Sequence, residues 1–179
     1  MEQKVCIITG ASSGIGKALS LEFAKNGFAV VCAARDEDML KQTVSEITHQ
    51  GGKAIAVKCD VSIEENCKNL IFESIKAFGK INVLINNAGI SMRSVFGETN
   101  PSVIEKLIQV NFMGGVYCTR FALQHIIASK GSIIGISSIA GYRGLPGRTG
   151  YSASKFALRG FLQSLRLENK KYNLLKINT

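Results

Sequence analysis

The chain has 179 residues, 46% of them apolar and 20% charged, with 22 Lys and Arg against 13 Asp and Glu for a net charge of +9. At roughly 150 residues per domain this length predicts a single domain over residues 1–179, and the apolar share excludes disorder for most of it. No apolar run approaches the roughly 18 residues of a membrane-spanning helix, and MEQK leads straight into VCIITG. The expectation is a soluble cytoplasmic protein with no membrane span.

The charge is uneven. From Gly141 onward eight Lys and Arg face Glu168 alone, so this stretch carries +7. Without interleaved aromatics or a nucleic-acid motif, that surplus fits an anionic small ligand and a solvated face, and nucleic acid is not expected as a partner. Cysteines 6, 32, 59, 67 and 118 form no C-x-x-C pair and sit in apolar or helical stretches, so they read as buried thiols, and no metal site is expected.

Short, nearly continuous apolar runs alternate with longer helical patterns along the chain. Strands are predicted at 5–9, 28–33, 54–58, 82–85 and 132–137, and helices at 15–25, 37–50, 63–78, 101–128 and 151–169. Strands greasy on both faces and returned by helices imply an α/β fold, a doubly wound parallel sheet of Rossmann type. Pro101 suits the first turn of a helix, and Pro146 falls in the turn-rich loop GYRGLPGRTG.

The first strand runs through TGASSGIG, residues 9–16, directly into a helix. Gly10 permits a sharp exit from the strand, Gly14 lets the backbone approach a pyrophosphate, and Gly16 allows close packing while free amides face the anion. A P-loop is excluded, because Gly10 and Gly16-Lys17 are one residue too far apart and Ala18 stands where magnesium needs a hydroxyl. The second strand ends Ala34-Arg35, where an NAD-binding protein carries an acid for the ribose. Arg35 can instead bind a 2′-phosphate, so NADP is favoured over NAD. Asp36 is the alternative ribose acid, although DED at 36–38 reads better as a helix cap. Asp60 closes the third strand and either binds adenine or caps the next turn.

Tyr151 precedes Lys155 by one helical turn, so the two share a face. One ammonium at about 4 Å, with an effective dielectric of about 20, stabilises a phenolate by about 4 kcal/mol and brings its proton exchange toward neutrality. Ser138, after the fifth strand, is placed to hydrogen-bond a substrate oxygen beside that phenol.

Together TGASSGIG, Asn86-Asn87-Ala88-Gly89, Ser138 and Tyr151-x-x-x-Lys155 make residues 4–170 resemble the short-chain dehydrogenase/reductase family. The resemblance implies hydride transfer between a nicotinamide and a carbonyl or secondary alcohol, with Tyr151 as acid or base and Ser138 positioning the oxygen. It implies that Asn111 orients a water relaying protons to Lys155, which also holds the nicotinamide ribose. The cofactor would lie on Gly10, Ser12, Ser13, Gly14, Ile15 and Gly16, with Asp60 and Val61 flanking the adenine and Asn87, Ala88 and Gly89 lining the cleft. Ala34-Arg35 looks like the NADP-preferring members, and AARDEDML faintly like members acting on steroids or other lipophilic alcohols.

Members commonly form homo-oligomers through the helices holding Asn111 and Tyr151, where Phe112, Met113, Val116, Phe156, Phe161 and Leu165 offer apolar surface or pack on their own sheet. Members also continue past the catalytic helix, whereas this chain ends at LLKINT. Most of the last two strands and the substrate lid are therefore expected to be lacking. Residues 174–177 would begin a sixth strand, and 132–137 would become an exposed edge. Two readings follow, an NADP-dependent oxidoreductase or a catalytically silent nucleotide-binding or interaction fragment of one.

Overall fold

The computed structural model describes residues 3–169 and 176–178. Six parallel strands form one sheet in the order β3-β2-β1-β4-β5-β6. They are β1 (Val5–Thr9), β2 (Ala29–Ala34), β3 (Lys53–Lys58), β4 (Val83–Asn86), β5 (Ser132–Gly135) and β6 (Lys176–Asn178). Every residue of β1 and β2 is buried, because helices cover both faces of the central strands. β3 lies at an edge, and its exposed lysines, exposed Ala56 and half-buried Ala54 show it. The chain winds away from β1 in both directions, so the loops after β1 and β4 diverge and open a crevice at the carboxyl ends of the strands.

The helices are α1 (Gly14–Lys25), α2 (Glu37–His49), α3 (Glu64–Phe78), α4 (Pro101–Ile108), α5 (Gly114–Ala128) and α6 (Thr149–Glu168). They divide the apolar interior into two cores. One places Ile7, Val31, Leu84 and Ile133 against α3, α5 and α6; the other places Ile8, Val30 and Cys32 against α1 and α2. Asp36 caps α2, its Oδ1 accepting from the Met39 amide at 3.0 Å, which is the capping role expected of DED. Asn100 caps α4 in the same way, with Pro101 in the first turn. All five cysteines are buried free thiols, and burial pushes Cys32 up to about 11, so it is inert near neutrality.

Two expectations change. The helix predicted over 101–128 is interrupted by a π-helical stretch, Gln109–Met113, between α4 and α5. Its cause is tertiary: the Asn111 carboxamide grips the backbone of Ile90, and Gly114 is so close to α3's approach that a Cβ there would stand 2.7 Å from Val61 Cγ2. The predicted fifth strand is also shorter and is no edge, since β5 pairs with β6 through Ser132↔Lys176, Ile133↔Ile177 and Ile134↔Asn178. β3 and β6 are the edges instead. Of the expected sixth strand, Leu174 and Leu175 lie outside the described residues.

The side chains offered as an oligomer surface divide unequally. Leu165 is buried, Phe112 and Phe161 stack edge to face at 6.2 Å, and Phe156 is exposed. Asp36→Ala, which removes the α2 cap, is expected to cost about 1 kcal/mol of stability in urea denaturation; an unchanged midpoint would show that the cap contributes nothing.

Candidate active site

The loop from Thr9 to Gly14 and the segment Asn87–Ile90 face each other across the crevice, and hydrogen bonds stitch their bases together. Thr9 Oγ1 accepts from the amides of Asn87 and Ala88, each at 3.0 Å, while Asn87 Nδ2 donates to the Thr9 carbonyl at 2.8 Å. These contacts leave no room for side chains. A Cβ on Gly10, whose φ is +68°, would stand 2.9 Å from Asn87 Nδ2, and one on Gly16 would strike the Gly10 carbonyl. Gly14, at φ +53°, has open space around it instead. Ser13 precedes α1 without a side-chain cap and no acid follows in the first turn, so the amides there face the crevice unengaged by side chains.

The crevice is a cavity of about 750 Å³. Gly10, Ser12, Ser13, Ile15 and Gly16 form one wall, Arg35, Asp60 and Val61 the far end, and Asn87, Ala88 and Gly89 the facing wall. Tyr151 and Lys155 close the other end. Residues spread over five segments of the sequence are thus brought to one space. Gly14 sits in the same loop behind the lining. Burial works to raise the Asp60 carboxyl, yet hydrogen bonds from the Ser62 hydroxyl and amide, with the charges of Arg35 and Lys106, hold it below the ordinary carboxylate range. Asp60 therefore takes the capping role in the turn after β3, and its carboxylate also lines the cavity.

At the opposite end Lys155 is only 4% exposed, and its ammonium donates to the Ile136 carbonyl at 2.7 Å. Desolvation lowers its pKa. The ammonium lies 5.8 Å from the Tyr151 ring centroid, and the guanidinium of Arg148 lies 5.7 Å from it, so the ring stands between two cations. Arg148 also donates to Ser91 Oγ, tying the head of α6 to the loop after β4.

Besides Gly14, two of the sequence-predicted residues stand off the cavity wall. Ser138 caps a short 3₁₀ turn, its Oγ accepting from the Ala140 amide at 3.2 Å, which leaves the hydroxyl hydrogen for another acceptor. Asn111 is buried with its carboxamide fully used: Oδ1 accepts from the Ile90 amide, and Nδ2 donates to the Ile90 carbonyl and to Ser154 Oγ. A Cβ on Gly89 would stand 3.3 Å from Asn111 Oδ1 and 3.6 Å from Lys155 Nζ, so Gly89 keeps the space beside both open.

Sequence reasoning missed three contributors. Thr9 shapes the Asn87–Ala88 turn, Arg148 flanks Tyr151, and Ser137 lines the cavity with a buried hydroxyl that has no partner among the described residues. Threonine at the start of the Gly-rich loop was visible in the sequence, but its partner lies 78 residues away.

A model of the short chain dehydrogenase family matches residues 4–179. The chain belongs to the short-chain dehydrogenase family. Among relatives, it is 42% identical over 167 residues to 11-beta-hydroxysteroid dehydrogenase A of Arachis hypogaea, covering 92% of this chain and 48% of that one. The chain spans about half the length of the curated relatives it matches. A short chain dehydrogenase/reductase from Burkholderia phymatum in complex with NAD superposes with a TM-score of 0.94 at 29% identity, covering 98% of this chain and 64% of the other. A metagenomic short-chain oxidoreductase in complex with NADP gives 0.92 at 32% identity, with 97% and 79% covered.

For this short-chain dehydrogenase the buried ammonium has a consequence for stability. Because folding lowers the Lys155 pKa below its ordinary value of 10.5, the native state releases this proton before the unfolded chain does. Stability should rise with pH through the window between the lowered value and 10.5. Lys155→Met removes the titration and is expected to flatten that rise in urea denaturation at about pH 8 to 11. A rise equally steep in the variant would assign it to other groups.

Proposed function

We propose that residues 1–179 form one dinucleotide-binding unit that carries the proton-transfer machinery of an NADP-dependent oxidoreductase acting on a carbonyl or secondary alcohol. The observation carrying this reading is the meeting of the glycine loop with Tyr151 and Lys155 in one cavity of about 750 Å³. The residues fit the cofactor: glycines where no Cβ has room, amides facing the crevice, and the unpartnered Ser137 hydroxyl beside Tyr151 and Lys155 in the lining. Gly10, Ser12, Ser13, Gly14, Ile15 and Gly16 would hold the pyrophosphate, Asp60 and Val61 the adenine, and Asn87, Ala88 and Gly89 the facing side. When bound, the nicotinamide supplies or accepts the hydride at the substrate carbon.

The chain's own residues manage the proton. In the reducing direction the Tyr151 hydroxyl gives its proton to the substrate oxygen as the carbon gains hydride, and in the oxidising direction it takes that proton back. The Ser138 hydroxyl, already oriented by the Ala140 amide, donates to the same oxygen and fixes it beside the phenol. The Lys155 ammonium stabilises negative charge developing on Tyr151 and holds the nicotinamide ribose. Asn111 positions the Ile90 backbone at the edge of this end and with it a water route to Lys155. Arg35 selects the 2′-phosphate, since no carboxylate at position 34 or 35 repels it and Asp36 is committed to its cap.

Lipophilic alcohols or ketones are the favoured substrates. Val95, Phe96, Ile139 and Tyr142 are exposed on the two loops that Arg148 and the Ser94–Gly147 backbone hydrogen bond tie together beside Tyr151. The steroid-named relatives are consistent with that apolar surface. A homo-oligomer using α5 and α6, with Phe156 exposed, and a cytoplasmic location complete the reading.

NADPH fluorescence titration followed by a screen of apolar ketones tests it. Tyr151→Phe is expected to bind NADPH as the unmodified chain does and to lose turnover by roughly 10²–10⁴-fold. Binding without any turnover in the unmodified chain would favour the silent nucleotide-binding fragment. Arg35→Asp is expected to weaken NADPH by about tenfold or more and to shift preference toward NADH, as loss of one charge-assisted contact implies; unchanged NADPH affinity would exclude Arg35 as the selector.

A further inference from the structure

Beyond Arg35 and Asp60 the dinucleotide cavity opens into a second one of about 490 Å³, lined by Arg35, Lys58, Asp60, Glu65, Asn66 and Asn69. Lys58 ends β3 in register with Ala34, the residue before Arg35, so the two cations leave the carboxyl ends of neighbouring strands side by side. Neither makes an ion pair or a side-chain hydrogen bond among the described residues. The nearby acids are engaged elsewhere. Asp60 accepts from the Ser62 hydroxyl at 2.6 Å and its amide at 3.0 Å, and Glu65 is paired with Lys68 at 3.1 Å. The Asn66 carbonyl oxygen is occupied by the Asp60 amide. Arg35 and Lys58 thus face this space together, next to the proposed adenosine end of the cleft.

We infer that Lys58 is a second specificity-determining residue for the cofactor, which acts with Arg35 to bind the 2′-phosphate in this side cavity. This rests on the dinucleotide reading proposed above and goes further, because it assigns the preference to two strands rather than one. The chemistry of the pair suits a phosphomonoester dianion. Arg35 can donate two parallel hydrogen bonds to phosphate oxygens, whereas Lys58 adds a compact charge on a flexible stem that reaches a third. A dianion held between them would attract both cations, adding to the Asp60 carboxylate that already interacts with Arg35. Both side chains are exposed, so the contribution should weaken with salt.

Adenosine 2′,5′-bisphosphate and AMP differ only in the 2′-phosphate and need no turnover to read. Calorimetric titration of the full chain with each should show tighter binding of the bisphosphate. Lys58→Met should weaken the bisphosphate by about tenfold while AMP changes by less than about twofold, and Lys58→Arg should restore most of the loss. Circular dichroism of the variants should be unchanged, because the side chain is exposed at a strand end. If the unmodified chain prefers the bisphosphate and Lys58→Met prefers it equally, Lys58 plays no part and Arg35 acts alone. If the unmodified chain does not distinguish the two ligands, or binds neither, the NADP reading fails and the role of Lys58 fails with it.

Discussion

The Asn87 carboxamide, donating to the carbonyls of Thr9 and Gly10, fixes the distance between the ends of β1 and β4. Everything at the crevice depends on that distance. Without it the glycine loop has no fixed partner across the switch point, and the Asn87–Ile90 segment has no reason to turn where it does. The Thr9 hydroxyl reinforces the same junction from the other side by accepting two successive amides and donating to the Ile85 carbonyl. A group so fully committed offers nothing to a ligand. Its value is that backbone polar groups at the floor of the cleft are satisfied within the protein, leaving those of the α1 terminus to meet an anion.

The parts of the fold legible in the sequence were those set by local pattern. β1 and α1 appear within a residue of their expected bounds because an unbroken apolar run and a periodic one follow each other with only the glycine loop between. Gly16 was legible as a close approach and Gly10 as the sharp exit from a buried strand, where its φ is +68°. The π-helical interruption was not legible. Residues 101–128 keep a helical period throughout, and what widens the turn at Asn111 is a hydrogen bond to Ile90, 21 residues earlier. The same limit applies at Arg148, whose tie to Ser91 spans 57 residues. Pairing of β5 with β6 was half visible, in that a strand near the end was expected but its capacity to cover the edge was not.

Lys155 shows how the site and the stability of the fold pull apart. A buried ammonium with one backbone carbonyl partner at 2.7 Å is a costly way to fill space in a core, and its lowered pKa reports that cost. An apolar side chain would pack there without penalty. The ligand-facing role proposed for Lys155 would account for that cost, since the Ile136 carbonyl takes one hydrogen of an ammonium that lines the cavity.

The same view resolves the basic character of the last third of the chain. A nucleic-acid surface needs cations spread on one solvated face, free to meet phosphates. Here three of the described ones have partners within the protein. Arg159 stacks on Tyr142 at 3.7 Å, Arg148 joins Ser91 and the Tyr151 ring, and Lys155 is buried against β5's extension. These contacts lie in the loop after β5 and the head of α6, the two segments that carry Ser138 and Tyr151. Part of the positive charge in this stretch thus lies at one end of the cleft. Arg35 and Lys58, far away in sequence, supply the surplus at the other.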